Sequence, residues 1–255
     1  MNELTPPVTL PAADALTLLE CGELTVEGRV TTASNATLYC RIEFEGVAAA
    51  CVYKPVSGER PLWDYPDGTL AEREVACFVL SAASGWDIVP PTVLRAGPLG
   101  TGMVQLWVAE DEGFDMIAAI NRGELPQLRR VALLDAVLNN SDRKVSHLLP
   151  AYRDGELHVH GVDHGVSLGV ANRLRTVLWQ WAGDEIPPDG LEMLDRLDTD
   201  WESAGPDRPS LADTLAELLT TAEVRATRHR VRRLLAKRRF PTPPTDWPAI
   251  PYPPY

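Results

Sequence analysis

The sequence of 255 residues lacks a close cysteine pair and a long apolar run, and each absence argues against a class of protein. Its four cysteines are scattered without any Cys-x-x-Cys spacing, which argues against a zinc finger and favours reduced thiols in a cytoplasmic protein. No run of about 18 apolar residues occurs, so we expect no membrane-spanning helix. Residues 1–20 lack a basic start followed by an apolar block, and they therefore predict no secretory signal.

Basic residues are fewer than acidic residues, and one segment holds a third of all the basic residues. The net charge is −12, but residues 225–239 contain eight Lys or Arg and no acid, so the rest of the chain carries −20. A nucleic-acid-binding protein normally has the opposite balance, which argues against a nucleic-acid partner. The basic segment is interpreted either as a helix docked on an acidic body, which we favour, or as a face for nucleic acid or lipid.

Hydrophobic periodicity divides the chain into a β-rich first half and a mostly helical second half. Between Gly22 and Val108 it predicts five strands and one helix, which begins at a capping box of Thr69 and Glu72 and ends at Gly85. The second half predicts a helix within 125–140, a hairpin at 151–162, and helices near 189–202 and 209–238. The expected fold class is therefore α+β.

The expected domain organisation has four parts. Residues 1–21 form an N-terminal extension, 22–108 an N-lobe, 109–240 a C-lobe, and 241–255 a Pro-rich tail. The tail contains seven prolines and cannot form a regular helix, so we expect an extended segment along the surface. The alternative is a peptide ligand for the domain of a partner protein.

Two acidic residues lie in short polar runs, "LNNSDRKVSHLLP" and "VHGVDHGVSLG". Asp142 follows an apolar helix, and Asp163 follows a short strand and precedes His164-Gly165. Phosphoryl transfer needs one carboxylate to orient an attacking hydroxyl, another to hold a metal ion, and a cation on the phosphates. Lys54, at the end of an apolar strand, could be that cation, with Glu74 of the next helix as its partner. Taken singly, each of these residues could equally cap a turn or lie on a solvated face.

The same segments resemble the phosphatidylinositol 3-/4-kinase superfamily. "LNNSDRKVSH" resembles its catalytic loop, "GVDHG" its metal-binding Asp-x-Gly segment, "AEREVACFVL" the helix that carries the Lys partner, and "GMVQLWV" the strand before the adenine hinge. The likeness is strongest to type II phosphatidylinositol 4-kinases, HipA-type toxin kinases and a group of small actinobacterial kinase-like proteins. It covers about residues 22–185 and implies a two-lobe protein-kinase-like fold with a β-rich N-lobe and a helical C-lobe.

The resemblance implies a role for each matched residue. Asp142 would orient the acceptor hydroxyl, Asp163 would bind Mg²⁺, Lys54 would contact the phosphates, and Glu74 would hold Lys54. The nucleotide would be bound by residues of the hinge and of a phosphate loop in "TTASNAT": Gln105, Leu106, Trp107, Ser34 and Asn35.

The chain departs from the pattern of the superfamily at two places. His147 stands five positions after Asp142, where the resemblance implies an Asn as second metal ligand. Because imidazole is a poor ligand for Mg²⁺ but binds Mn²⁺ or Zn²⁺, the metal preference is altered, Ser146 substitutes, or catalysis is weakened. Only Arg173 and Arg175 supply cations after the second Asp and before residue 179, which disfavours a phosphorylated lipid headgroup as acceptor.

The favoured hypothesis is an ATP- and Mg²⁺- or Mn²⁺-dependent phosphotransferase that acts on a hydroxyl of a protein or a small soluble molecule. Adenylyl transfer is left open. A second hypothesis is a pseudokinase that binds nucleotide and a partner through the Pro-rich tail or the basic segment. A third is a metal hydrolase that uses the four histidines within 18 residues, whose alternative is a solvated hairpin face: His147, His158, His160 and His164.

Overall fold

A five-stranded antiparallel sheet forms the first half of the computed structural model, which describes residues 10–30, 36–153, 155–205 and 209–255. The strand order is β1-β2-β3-β5-β4, and every neighbouring pair is antiparallel. The bounds of the strands are β1 Glu23–Arg29, β2 Leu38–Phe44, β3 Val47–Pro55, β4 Thr92–Gly97 and β5 Gly100–Leu106.

Helices dominate the rest of the described chain, together with one hairpin. The helices are α1 Ala12–Cys21, α2 Leu70–Ser84, α3 Met116–Arg122, α4 Pro126–Leu138, α5 Pro188–Asp200, α6 Leu211–Ala216 and α7 Thr221–Lys237. Between α4 and α5, β6 Leu148–Arg153 and β7 Glu156–Gly161 pair antiparallel. The α+β class, with a sheet in the first half and helices in the second, is therefore confirmed.

Separate apolar cores stabilise the two halves. One core joins α1 to the sheet, and its buried side chains include Leu18, Leu19, Ile42 and Tyr53. The other core joins α2, α4, α5 and α7, and it buries Trp201 and most of α4. Helix α2 contacts both β4 and α5, so it lies at the junction of the halves. A side chain on α2 can therefore reach groups that belong to either half.

The start of α2 differs from its prediction. Thr69 is the residue that precedes the helix, but its side chain caps no backbone N–H, so the capping box with Glu72 is wrong. Instead, the first two N–H groups of α2, on Leu70 and Ala71, donate to the carboxylate of Glu59 at 3.1 and 2.8 Å. A full negative charge at a helix N-terminus is favoured by the helix dipole, which explains why the distant carboxylate replaces the local box.

The remaining helix boundaries follow the predictions in part. Gly85 ends α2 in the left-handed conformation, with φ 74°, as its position predicts. The single helix predicted at 209–238 is divided into α6 and α7. The division arises because Thr220 and Glu223 form a capping box that begins α7 anew. The short helices α1 and α3 were not predicted.

The basic segment lies on α7 and in the residues that follow it. The buried face of α7 includes Val231 and Leu234, and Arg230 on the same face donates to the carbonyl of Val137 at the end of α4. On the outer side, Arg228 and Arg232 both pair with Asp198 of α5. These contacts support the interpretation of a helix docked on an acidic body. Within the described ranges, every helix is too short or too polar to cross a lipid bilayer.

Candidate active site

The two acidic loops begin where α4 and β7 end. Asn139 adopts the left-handed conformation, with φ 53°, and ends α4. The side-chain oxygen of the next residue, Asn140, accepts the N–H of Asp142 at 2.9 Å, which fixes the position of that aspartate. Asp163 follows β7 and is itself left-handed, with φ 58°. A non-glycine residue in this conformation is strained by about 1–2 kcal/mol, and such strain concentrates at functional sites.

Arg143, which is fully buried, joins the two loops. Its guanidinium donates to both carboxylate oxygens of Asp135 at 2.9 Å. It also donates to the carbonyls of His147 and Val162 at 3.0 Å and lies 2.6 Å from Nε2 of His164. One side chain thus holds α4, the Asp142 loop and the end of β7. Sequence reasoning missed Arg143, although the acid of Asp135 within an otherwise apolar helix face predicts a buried basic partner.

Lys54 at the end of β3 lies between two carboxylates. Its Nζ atom is 2.6 Å from Oε1 of Glu74 on α2 and 2.8 Å from Oδ1 of Asp163. The other oxygen of Glu74 accepts the N–H of His164 at 3.0 Å. Although burial opposes its charge, the two carboxylates raise the pKa of Lys54 above its usual value. The Lys54 ammonium in turn holds the pKa of Asp163 well below its usual range, so both groups are charged at neutral pH.

His147 faces the second oxygen of Asp163. Its Nε2 atom lies 3.4 Å from Oδ2, while Oδ1 is bonded to Lys54. Burial lowers the pKa of His147, so the ring is neutral, and its Nδ1 is buried with no partner among the described residues. A carboxylate oxygen and a neutral imidazole nitrogen at this separation can share one cation with bonds of about 2.1 Å. This donor pair fits Mn²⁺ better than Mg²⁺.

Asp142 has two cations beside it. Oδ2 is 2.9 Å from Nζ of Lys144, and Oδ1 is 3.9 Å from the guanidinium of Arg175. The Arg175 side chain is held because its Nε donates to the carbonyl of Ser141 at 2.6 Å. Sequence reasoning did not assign Lys144, although its position two residues after Asp142 places it in the same loop. A cation at this point can neutralise an anionic group that approaches Asp142.

One cavity of about 510 Å³ contains most of these groups. Lys54, Glu74, Asp142, Lys144 and Asp163 all line it, so the structure brings the predicted catalytic residues and one predicted metal ligand together. The other predicted ligand, His147, reaches them through Asp163. The two acidic residues therefore line the same cavity. The remaining lining residues come from 59–71, 165–175 and the Pro-rich tail, together with Ala36, Pro55 and Ser141.

Lys54 is the predicted nucleotide-binding residue that lines this cavity among the residues the structure describes, and the three predicted hinge residues lie outside the lining. Gln105 is buried and donates from its side chain to Thr92 at 2.8 Å. The N–H groups of Leu106 and Trp107 donate to the carbonyls of Pro91 and Ala50 at 2.9 and 3.0 Å. These donors are already used within the N-lobe. The other two predicted residues, Ser34 and Asn35, lie outside the residues that the structure describes.

Comparison with known proteins identifies a relative. No family model matches the chain. It is 40% identical over 276 aligned positions to Protein Rv2133c of Mycobacterium tuberculosis (strain ATCC 25618 / H37Rv), an alignment that covers 93% of this chain and 96% of that protein. The chain belongs to the Rv2133c family.

A solved kinase shares the fold of this Rv2133c relative. The Helicobacter pylori proinflammatory kinase CtkA superposes with a TM-score of 0.51 at 10% identity, covering 86% of this chain and 94% of CtkA. The protein-kinase-like fold is thereby confirmed, whereas the narrower phosphatidylinositol 3-/4-kinase assignment stays a prediction. A HipA–HipB–operator DNA complex of Shewanella oneidensis MR-1 gives a TM-score of 0.40 at 10% identity, covering 92% of this chain and 72% of that chain. The Rio2 kinase of Chaetomium thermophilum gives a TM-score of 0.39 at 14% identity, covering 84% of this chain and 72% of that chain.

The four clustered histidines of this Rv2133c relative do not form one metal-binding group. Nδ1 of His160 lies 3.3 Å from the carbonyl of Ile88, and His164 contacts Arg143. The ring of His158 stacks on that of His160 with 6.3 Å between centroids. Among the described residues, no group of three or more His, Cys, Asp or Glu is arranged to hold a metal ion. The solvated hairpin face is also wrong for His160, which is buried.

We expect Arg143→Ala to destabilise the protein by about 3–5 kcal/mol, because it leaves the Asp135 carboxylate buried without its partner. The matched control is Arg130→Ala, which removes the half-exposed pair with Asp189 and should cost less than about 1 kcal/mol. The measurement is the free energy of unfolding from urea denaturation. Equal costs for the two variants would contradict the organising role of Arg143.

We expect the stability of the protein to fall in mild acid, partly because burial lowers the pKa of His160 to about 4. An unfolded histidine titrates near pH 6.5, so the neutral folded ring contributes stability above that pH that is lost as the pH falls toward 4. Between pH 7.5 and pH 5 this loss amounts to roughly 2 kcal/mol. Urea denaturation of His160→Gln should show a loss smaller by that amount, whereas His229→Gln, at an exposed site, should behave like the wild type.

Proposed function

We propose that the chain is an ATP- and divalent-metal-dependent phosphotransferase that acts on a hydroxyl group. The observation that carries this proposal is the single cavity in which Lys54 joins Glu74 to Asp163 while Asp142 lies on the facing loop. A Lys–Glu pair between a strand and a helix, a metal-binding carboxylate and a second carboxylate for the nucleophile are the parts that kinase-type phosphoryl transfer requires. The protein-kinase-like fold supports the same reading.

Five charged groups of the cavity have roles in this proposal. Asp142 accepts a hydrogen bond from the acceptor hydroxyl and takes its proton as the phosphoryl group is transferred. Lys54 contacts the phosphates of the nucleotide, and Glu74 keeps the Lys54 side chain extended toward them. Lys144, next to Asp142, neutralises charge on the transferred group. The strained backbone at Asp163 fits this use, because it directs the carboxylate toward both Lys54 and His147.

Asp163 and His147 are the residues that would hold the metal ion. When bound, a divalent cation would neutralise the negative charge of the phosphate oxygens while charge moves to the leaving group. The Asp163 oxygen that faces His147 is the one that Lys54 does not use, so the cation and Lys54 need not compete for the same atom. Because burial keeps the His147 ring neutral, its Nε2 lone pair is available at neutral pH.

The adenine of the nucleotide is proposed to lie against the hinge formed by Gln105, Leu106 and Trp107. Two N–H groups of this hinge are already bonded within the N-lobe, so contact would use carbonyl oxygens and the Trp107 ring. That ring is partly exposed and is held edge-on by Tyr39, with 5.0 Å between centroids. Ser34 and Asn35 are proposed to donate hydrogen bonds to the phosphates of the nucleotide. The acceptor is a hydroxyl of a protein or a small soluble molecule.

We expect calorimetric titration of ATP into metal-free protein to give binding that increases with Mg²⁺ or Mn²⁺. Asp163→Asn should abolish the metal-dependent part, because it removes the charged ligand. Asp142→Asn should retain ATP binding but lower phosphotransfer by roughly 10²-fold or more, since only the hydroxyl loses its partner. Asp195→Asn, which removes an exposed carboxylate on α5, is the matched control and should change neither measurement.

The outcomes of this titration separate the three hypotheses. Metal-dependent binding with turnover that needs Asp142 supports the phosphotransferase. ATP binding without turnover would instead support the nucleotide-binding scaffold. No ATP binding under any condition would exclude both, and stoichiometric zinc or manganese in the purified protein would then favour the metal hydrolase.

We expect His147→Asn to shift the metal preference of ATP binding from Mn²⁺ toward Mg²⁺, by roughly tenfold in the ratio of the two affinities. The physical reason is that an amide oxygen replaces an imidazole nitrogen beside Asp163. Calorimetry with each metal in turn measures the ratio, and His158→Asn is the control at a histidine that does not contact the cavity acids. An unchanged ratio would contradict the assignment of His147 as a ligand.

A further inference from the structure

The Pro-rich tail lies against the catalytic loop of its own chain and is attached at two places. The carbonyl of Ala249 accepts the N–H of Thr176 at 3.0 Å and the indole N–H of Trp179 at 2.8 Å. Five residues further on, the carbonyl of Pro254 accepts the N–H of Val145 at 2.9 Å. Val145 is three residues after the catalytic Asp142, so the second attachment holds the end of the tail beside the active site.

An aromatic contact adds to the attachment of the tail. The guanidinium of Arg173 lies 3.7 Å from the ring centroid of Trp247, a distance at which a cation is attracted to the face of an indole ring. Both Trp247 and Tyr252 line the cavity that contains Asp142, Lys54 and Asp163. The tail therefore forms one wall of the proposed active site, with Tyr252 between the two backbone attachments.

Tyr252 has the accessible hydroxyl of the cavity. Among the described lining residues, Tyr65, Ser141 and Tyr252 carry hydroxyl groups. Tyr65 and Ser141 are buried, and the Ser141 hydroxyl donates to the carbonyl of Val166 at 2.7 Å. The Tyr252 side chain is 93% exposed, and its hydroxyl has no hydrogen-bond partner within the part of the chain that the structure describes. Because the side chain is so exposed, packing does little to oppose its rotation toward the cavity.

We propose that Tyr252 is a site of autophosphorylation in cis, an inference that rests on the phosphotransferase function proposed above. The phenol oxygen of Tyr252 attacks the γ-phosphorus of ATP, and the bond from that phosphorus to the β–γ bridging oxygen breaks. ADP leaves with the bridging oxygen, and the phenol proton passes to the carboxylate of Asp142. The product carries a phosphate of roughly two negative charges at a cavity whose lining includes the cations Lys144 and Arg175.

The test is to incubate the full chain with ATP and either Mg²⁺ or Mn²⁺ and to follow its intact mass, with peptide mapping of the product. We expect the addition of one phosphoryl group per chain, located on Tyr252. Tyr252→Phe should not gain this group, whereas Tyr255→Phe, at an exposed tyrosine outside the cavity lining, should gain it normally. Asp142→Asn should slow the addition by roughly 10²-fold or more.

Two further measurements keep the inference separate from the proposed function. Every variant is titrated with ATP, so that failure to bind nucleotide, which would overturn both proposals, is distinguished from failure to label. ATP binding without phosphorylation of Tyr252, whether another residue is labelled or none, would overturn the assignment of Tyr252 alone. Because the tail is attached to its own chain, the first-order rate constant should stay unchanged on roughly tenfold dilution, and a rate constant that falls with dilution would overturn the reaction in cis.

Discussion

The buried ion pair between Arg143 and Asp135 is the interaction on which the candidate site depends. A guanidinium removed from water is costly unless each of its donors finds an acceptor, and Arg143 meets this requirement only when several segments are in place. Its acceptors belong to α4, to the turn that contains His147, and to the end of β7. Satisfying one buried charge therefore brings together the two loops that carry Asp142 and Asp163.

A second set of charges joins the sheet to the helical half. Lys54 comes from β3, Glu74 from α2 and Asp163 from the loop after β7, so their contacts connect the two halves through a few atoms. Opposite charges keep Lys54 and Asp163 ionised, whereas burial raises the pKa of Glu74. Nucleotide and metal would exchange some of these contacts for new ones, and such a cluster is suited to that exchange.

The accuracy of the sequence predictions varied with the range of the interactions that decide each feature. The strands, α4 and the left-handed end of α2 at Gly85 follow from local periodicity and glycine chemistry, and they were predicted correctly. The capping box at Thr69 was wrong because Glu59, a residue outside the helix, supplies the charge. The roles of Arg143 and Lys144 were missed. The acid of Asp135 predicts that a buried basic partner exists but not which basic residue it is. The position of the Pro-rich tail beside Val145 was not predicted either, because it depends on a contact between residues far apart in the sequence.

The sequence by itself determined the α+β class, the order of its elements and the residue types of the proposed phosphotransferase site. It could do so because hydrophobic period, turn residues and the order of Lys54, Glu74, Asp142 and Asp163 are properties of the chain read in one dimension. Only the tertiary structure decided that these four residues line one cavity, that His147 is neutral beside Asp163, and that the tail forms a wall of the site. Those features depend on burial and on contacts between residues distant in sequence, which set the charge state and the neighbours of a side chain.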